Sequence, residues 1–239
     1  MNVDINGKKA IVFGGTSGIG LATTKMLAQA GASVVAISRD PSKAGELPAG
    51  VTTRACDVRD SASMEALLGD LGPFDILVSA ATGGDRAVGP FVEMDVEGFK
   101  GSFDKLWGYA NVVRYGAAHL NEGGSITLVS GSPARAHPKD LSALSAVGGA
   151  VEALVKTVAR EIAPLRRINV VSPGVIDTPM MALEGKAERD AAYADMTKGY
   201  LIPRAGTAEE VARGLMFVIT NDFVTGTIVD VDGGWLLSD

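Results

Sequence analysis

The sequence predicts an α/β fold, a doubly wound parallel sheet with helices on both faces. Three observations predict it. Short apolar, β-branched runs recur along the 239 residues, amphipathic helical stretches separate them, and the first run passes through a glycine turn directly into a helix. Strands alternating with helices imply right-handed crossovers, which put helices on both faces of a parallel sheet. No internal repeat, low-complexity tract or linker interrupts the pattern, and a chain of this length buries a sizeable core as one domain, residues 1–239.

The first unit is Lys9–Gly20. Ala10–Phe13 reads as a fully buried strand, Gly14, Gly18 and Gly20 form the turn with Thr16, Ser17 and Ile19, and Leu21–Ala30 has a helical pattern closed by Gly31. Such a turn presents backbone N–H groups at a helix N-terminus to a pyrophosphate, and a Cβ there would block the approach of the phosphates. Ser33–Ile37 and Val51–Ala55 read as strands, with room for one short helix in Pro41–Gly50. Ser61–Leu71 has helical spacing, Asp75–Ser79 is a strand, and a loop follows over Ala80–Pro90. A long helix is expected from about Gly98 to Leu120, a strand over Ser125–Ser130, and a second long helix over Leu141–Ile162. Arg167–Val171 is a strand, Met180–Tyr200 and Thr207–Ile219 are helical, and Thr227–Val231 is the last strand.

Composition narrows the function. Hydrophobic residues make up 46% and charged residues 21%, which excludes disorder. A net charge of −6 argues against a nucleic-acid partner, because phosphate neutralisation needs a basic face. No apolar stretch of membrane-spanning length lacks charges or glycine pairs, so no membrane partner is expected. Met1–Lys9 has no apolar core, so no signal peptide is expected, and the single Cys56 fits a reducing cytoplasm. With only His119, His137 and Cys56 as soft ligands, scattered along the chain, no metal site is expected.

Together the motifs resemble the short-chain dehydrogenase/reductase family over essentially the whole chain. The matching residues are Gly14-x-x-x-Gly18-Ile19-Gly20, Asp57-Val58, and Arg167-Ile-Asn169-x-Val-Ser-Pro173-Gly174 with Thr178-Pro179. Pro203-Arg204-x-Gly206-x-x-Glu209-Glu210-Val211-Ala212, Thr225-Gly226 and Val231-Asp232-Gly233-Gly234 match as well. The resemblance implies a Rossmann-type sheet, a nicotinamide dinucleotide, a small-molecule substrate and a homotetramer or homodimer. It implies that Asp57 and Val58 hold the adenine, that Ala80 borders the cofactor, and that Pro173, Gly174, Ile176 and Thr178 hold the nicotinamide end. Charge favours NADP(H) over NAD(H). Where an acid would take the ribose 2′-hydroxyl of NAD, the chain has Ser38 followed by Arg39, donors suited to a 2′-phosphate. In the alternative, Arg39 is a solvated loop residue and Asp40 takes the ribose.

The resemblance fails at the chemistry. The family uses an Asn–Ser–Tyr–Lys set, its tyrosine being the general acid/base. In the matching frame Leu144 stands at the tyrosine position and Gly148 at the lysine position. Gly131, flanked by Ser130 and Ser132, stands at the serine, and Lys105 at the asparagine. None of Tyr109, Tyr115, Tyr193 or Tyr200 has a lysine four residues on. Leucine has no proton to transfer. Either Lys105 supplies the missing cation while Ser130 or Ser132 binds a substrate oxygen, or Lys105 is a solvated helix lysine. Gly148-Gly149 costs about 2 kcal/mol against alanine inside a helix, which points to close packing, as at a subunit interface, or to space for a ligand. His137 is a further acid/base candidate or a surface loop residue. Tyr193 and Tyr200 either reach the substrate or pack. Three functions remain open: an NADP(H)-dependent oxidoreductase for a small carbonyl or alcohol, a catalytically silent NADP(H)-binding redox sensor or partner subunit, and a non-redox isomerase, cyclase or lyase.

Overall fold

The structure is a computed structural model that describes residues 3–82, 86–180 and 185–238. β1 (Lys9–Phe13) turns into α1 (Gly18–Gln29), followed by β2 (Ser33–Ser38), β3 (Thr52–Ala55), α2 (Ser61–Leu71) and β4 (Phe74–Ser79). Then come α3 (Val96–Ser102), α4 (Asp104–Gly116), β5 (Leu120–Val129), the single turn α5 (Pro133–Ala136) and α6 (Ser142–Ile162). The chain continues with β6 (Arg167–Pro173), β7 (Ile176–Asp177), α7 (Lys186–Thr197), β8 (Gly206–Thr207), α8 (Ala208–Thr220) and β9 (Ile228–Val231).

Seven strands form one parallel sheet in the order β3-β2-β1-β4-β5-β6-β9. The winding reverses between β1 and β4, and a crevice opens there at the carboxyl ends of the strands. β1 shows how both faces are buried. Ile11 and Phe13 join Met64, Leu68, Tyr109, Val112 and Val151 on one side, and Ala10 and Val12 join Leu27, Val211 and Leu215 on the other. A parallel sheet covered on both faces needs such continuous apolar strands.

The C-terminal motif has structural work. The Arg167 guanidinium donates to the carbonyls of Val218, Ile219 and Val224 at 2.7–2.9 Å, satisfying the end of α8. Asn169 accepts from Thr227 N at 3.2 Å and donates to Val224 O at 2.9 Å, tying β6 to the approach to β9.

Three points differ from the sequence expectation. The helix expected over Gly98–Leu120 divides at Phe103, where Phe103 N bonds Lys100 O in a tighter turn, and Leu120 opens β5 instead of ending a helix. The stretch Met180–Tyr200 is helical only over Lys186–Thr197, and its residues 181–184 lie outside the described ones, as do 83–85 of the Ala80–Pro90 loop. The two-residue pair β7–β8 has no periodicity to reveal it. By length and composition α6 could cross a membrane, though it carries the Gly148-Gly149 pair and the charges Glu152, Lys156, Arg160 and Glu161. In the fold its Val147, Val151, Val155 and Ala159 are buried, and Val151, Val155 and Ala159 belong to the core under the sheet.

Candidate active site

The glycine turn lies in the crevice beside β4. Gly14 has φ +75°, and a Cβ on it would sit 2.8 Å from Ala81 N and 2.9 Å from the Ala80 carbonyl carbon. A Cβ on Gly20 would collide with Gly14 O. Both glycines are therefore demanded by the turn's own packing. Ser17 is the N-cap of α1, yet its hydroxyl caps nothing and no acid stands in the first turn. The positive end of the helix is left to an external anion.

The cleft in front of this turn is lined by Gly14, Thr16, Ser17, Gly18, Ile19, Gly20, Ser38, Arg39, Asp57, Val58, Ala80 and Thr178. Of the residues expected to hold cofactor, only Pro173, Gly174 and Ile176 lie outside it. Pro173 and Gly174 are at the end of β6, where a Cβ on Gly174 would meet Asp232 Cα at 3.0 Å, and Ile176 is buried in the β7–β8 pair. Ser38 Oγ is buried with no hydrogen-bond partner among the described residues, an orphan that fits a ligand.

A charged residue of this cleft was missed. Arg59 lines it, donating to Asp57 Oδ2 at 2.7 Å and to Asp104 Oδ2 at 3.1 Å. The guanidinium of Arg59, and more weakly that of Arg39, holds the Asp57 carboxyl below its usual range. The cue in the sequence was the third residue of Asp57-Val58-Arg59. These features fit a phosphorylated dinucleotide: a bare helix N-terminus, an orphan hydroxyl and two arginines at one end of one cleft.

At the catalytic end the expected residues separate. Lys105 enters from the first turn of α4. Its Nζ donates to Ser130 O at 3.1 Å and lies 5.5 Å from the centre of the Tyr109 ring. Lys105 as a whole is half-buried, but its ammonium lies at the deep end, where burial, reinforced by the charge of Arg86, lowers its pKa from 10.5 to about 7. It is not a solvated helix lysine. Tyr109 is fully buried and donates to Val129 O at 2.8 Å, and burial raises its pKa further, so it stays a phenol.

The two serines differ. The Ser130 hydroxyl turns toward α6, 3.4 Å from Gly148 O and 3.5 Å from Glu152 Oε1. Ser132 Oγ is fully buried and has no partner among the described residues. Glu152 belongs to a network that sequence inspection missed. Arg135 donates to it at 3.3 Å and to Asp230 Oδ2 at 2.9 Å, joining α5, α6 and β9. Burial raises the Glu152 pKa against the pull of Arg135.

Gly148 is explained inside the chain. A Cβ there would lie 2.8 Å from Ala134 Cβ and 3.3 Å from Ser130 Oγ, because α5 packs directly on α6. The room beside Gly148 is thus taken by Ala134 of the same chain, which leaves no space there for a ligand. Gly149 meets nothing within 4 Å, and at Gly131 a Cβ would make only ordinary contacts, 3.5 Å from Pro133 Cδ.

The remaining candidates lie elsewhere. His137 is exposed, with φ +48°, and lines a separate cleft of about 530 Å³ with Phe91, Ser142 and Ser145. Tyr193 donates to Asp177 Oδ1 at 3.0 Å. Tyr200 accepts from Val175 N at 3.3 Å and stacks on Trp235. Both tyrosines are buried packing residues. No cluster of metal ligands occurs among the described residues.

This geometry has close parallels. Residues 14–236 match a family model described as enoyl-(acyl carrier protein) reductase. L-xylulose reductase of Bos taurus is 32% identical, with 99% of each chain covered. A small-chain dehydrogenase solved in complex with NADPH is 33% identical, with a TM-score of 0.84 over 98% of this chain and all of that one. An NADPH-bound short chain oxidoreductase from Pseudomonas aeruginosa PAO1, described as containing an atypical catalytic center, is 27% identical, with a TM-score of 0.85 over 97% of this chain and 98% of that one. The chain belongs to the short-chain dehydrogenase/reductase family, with that family's Rossmann-type sheet and oxidoreductase character.

Proposed function

We propose that the protein is an NADP(H)-dependent oxidoreductase for a small carbonyl or alcohol, with Lys105 as its proton donor and acceptor. The observation that carries this reading is the Lys105 ammonium, fixed on the Ser130 carbonyl with a pKa lowered to about 7. A group poised near neutrality is available in both protonation states, which is what acid/base work requires. When bound, a nicotinamide dinucleotide supplies or accepts the hydride.

Gly14, Thr16, Ser17, Gly18, Ile19 and Gly20 hold the pyrophosphate against the start of α1. Ser38, Arg39 and Arg59 take the 2′-phosphate, Asp57, Val58 and Ala80 border the adenosine, and Pro173, Gly174, Ile176 and Thr178 border the nicotinamide end. The NADPH-bound relatives support this preference for NADP(H). In the reducing direction Lys105 passes one proton from Nζ to the substrate oxygen as it becomes an alkoxide, leaves as the neutral amine and regains a proton from solvent. Alcohol oxidation runs these steps backward. Ser132, with its unused hydroxyl, binds the same oxygen. The likeness to L-xylulose reductase favours a hydroxylated ketone as substrate. Assembly as a homotetramer or homodimer in a reducing cytoplasm completes the reading.

The test pairs binding with turnover. Calorimetric titration of nucleotide-free protein is expected to give micromolar binding of NADPH and NADP+ and weaker binding of NADH and NAD+. NADPH oxidation is then followed over a panel of ketones. Binding without turnover across the panel would replace this reading with that of a silent nucleotide-binding subunit, and no nucleotide binding would remove both.

A further inference from the structure

We infer that Asp104, held by Arg59, is a positioning residue for the proton donor. The Asp57–Arg59–Asp104 bridge fastens the first turn of α4 to the wall of the nucleotide cleft, and so keeps Lys105 Nζ in its place. This rests on the reading of Lys105 as the proton donor.

The start of α4 needs such a hold. The helix breaks from α3 at Phe103, and this N-cap residue offers no side chain to the free N–H groups of the first turn. At the start of α3, by contrast, Asp95 accepts from Gly98 N at 2.8 Å. An uncapped first turn frays, and Lys105 is the second residue of this one.

Arg59 supplies the hold. Its Nε donates to Asp57 Oδ1 at 3.1 Å and its Nη2 to Asp57 Oδ2 at 2.7 Å, while Nη1 reaches Asp104 Oδ2 at 3.1 Å. A half-exposed ion pair alone contributes little. Here the two-armed fork on Asp57 fixes the guanidinium plane before its third arm meets α4. The same helix face touches the same segment twice more. A Cβ on Gly108 would lie 2.6 Å from Val58 Cγ2, and Asn111 Nδ2 donates to Val58 O at 2.9 Å. Asp104, Gly108 and Asn111 stand at i, i+4 and i+7, which is one face of a helix.

The neighbouring stripe carries the chemistry. Lys105 and Tyr109, one turn apart, reach successive carbonyls at the end of β5, Ser130 O at 3.1 Å and Val129 O at 2.8 Å. One helix therefore meets the cleft wall with one face and the proton-donor site with the next. Asp57, Val58 and Arg59 line the cleft, whereas Asp104 lies outside its lining. Asp104 can thus be changed without removing a residue of the nucleotide site.

The sign of the effect separates positioning from simple charge. Burial holds the Lys105 pKa down, Arg86 is the one charged group that bears on it among the described residues, and the Tyr109 ring lies beneath the ammonium. Loss of the Asp104 carboxylate as a charge would disfavour the ammonium and lower that pKa further. Release of the first turn would admit water to Nζ and raise it. The two carboxylates push the Arg59 pKa above its ordinary value, so its guanidinium stays charged while Lys105 titrates.

The test follows the ¹³Cε signal of Lys105, assigned by comparison with Lys105→Arg, through a pH titration of nucleotide-free protein, beside calorimetric titration with NADPH. In Asp104→Ala the Lys105 midpoint is expected to rise by about one pH unit or more, while NADPH affinity stays within about twofold. Asp104→Glu keeps the carboxylate and should hold the midpoint near the parent's. Arg59→Lys keeps the charge but not the fork, and reads the same hold without altering α4. It should raise the midpoint and also weaken NADPH, because Arg59 lines the cleft. With the parent near 7, an unchanged or lowered midpoint in Asp104→Ala overturns the proposal and leaves the reading of Lys105 standing. So does an equal rise in the alanine and glutamate variants, or a rise matched by a tenfold loss of NADPH affinity in Asp104→Ala, which would mark general loosening. A parent midpoint near the ordinary lysine value removes the reading of Lys105 and this proposal with it.

Discussion

The two ends of the crevice are built from different materials. At the end formed by β1, β2 and β3, the candidate nucleotide site is largely backbone: a glycine turn, a bare helix N-terminus and the space around them. At the end formed by α4, β5 and α6, the work falls to side chains, and the family's side chains are absent. Leucine and glycine stand where tyrosine and lysine belong, and a different lysine comes in from α4. A site made of backbone cannot change residue types without losing its shape, whereas a proton donor can be supplied from another helix facing the same cavity. That difference explains how one half can match its family while the other departs from it.

Replacing Lys105 should separate the two ends most strongly. Lys105→Met is expected to lower turnover by about 10²–10⁴-fold while leaving NADPH affinity within twofold, as read by steady-state kinetics beside calorimetry. The same variant has a stability signature. Because burial depresses the Lys105 pKa, the unfolded chain binds more protons than the folded one between about pH 7 and the ordinary lysine value. The cost of charging Lys105 is therefore full below about pH 7 and fades as pH rises. Thermal melts should show Lys105→Met gaining most over the parent at pH 6 and least near pH 10. A gain independent of pH would contradict the burial of a charged lysine.

At the other end, Arg39→Ala should weaken NADPH about 10- to 100-fold, the loss of one charge-assisted contact, with NADH unaffected in the same titration. Equal loss for both nucleotides would mean that Arg39 does not read the 2′-phosphate.

The smallest effects sharpen the contrast within α6. Gly148→Ala forces a Cβ to 2.8 Å from Ala134 and should destabilise by about 1–3 kcal/mol, as overpacked cores do. Gly149→Ala adds a methyl to open space and should stabilise by up to about 1 kcal/mol. Urea unfolding of the two variants reads both signs. By the same geometry, restoring tyrosine at 144 and lysine at 148 together should not restore the family's chemistry, because α5 fills the space the lysine needs.

The sheet was legible because buried parallel strands are continuous apolar runs rich in β-branched residues, as in Ala10–Phe13. Most of the nucleotide cleft was legible too, because glycines at fixed spacing mark a turn whatever lies beyond it. What could not be read was long-range placement. Arg59 and Asp104 are 45 residues apart in the chain and paired in space. The Glu152–Arg135–Asp230 network joins three elements with no local signature. Gly148 next to Gly149 reads as a pair in sequence, but the first is forced by Ala134 and the second by nothing within reach. Lys105 was found by its position opposite Gly148 in the family frame. Its protonation depends on burial and on Arg86, which only the fold discloses.

The central claim is that Lys105 changes protonation near neutrality, and it can be measured without a substrate. Protein carrying ¹³Cε-labelled lysine, with Lys105 assigned by comparison with Lys105→Arg, is titrated by NMR from pH 5 to 11. The account predicts a Lys105 midpoint near 7, far below the ordinary lysine value. A midpoint near that ordinary value would contradict it and return Lys105 to the solvated surface.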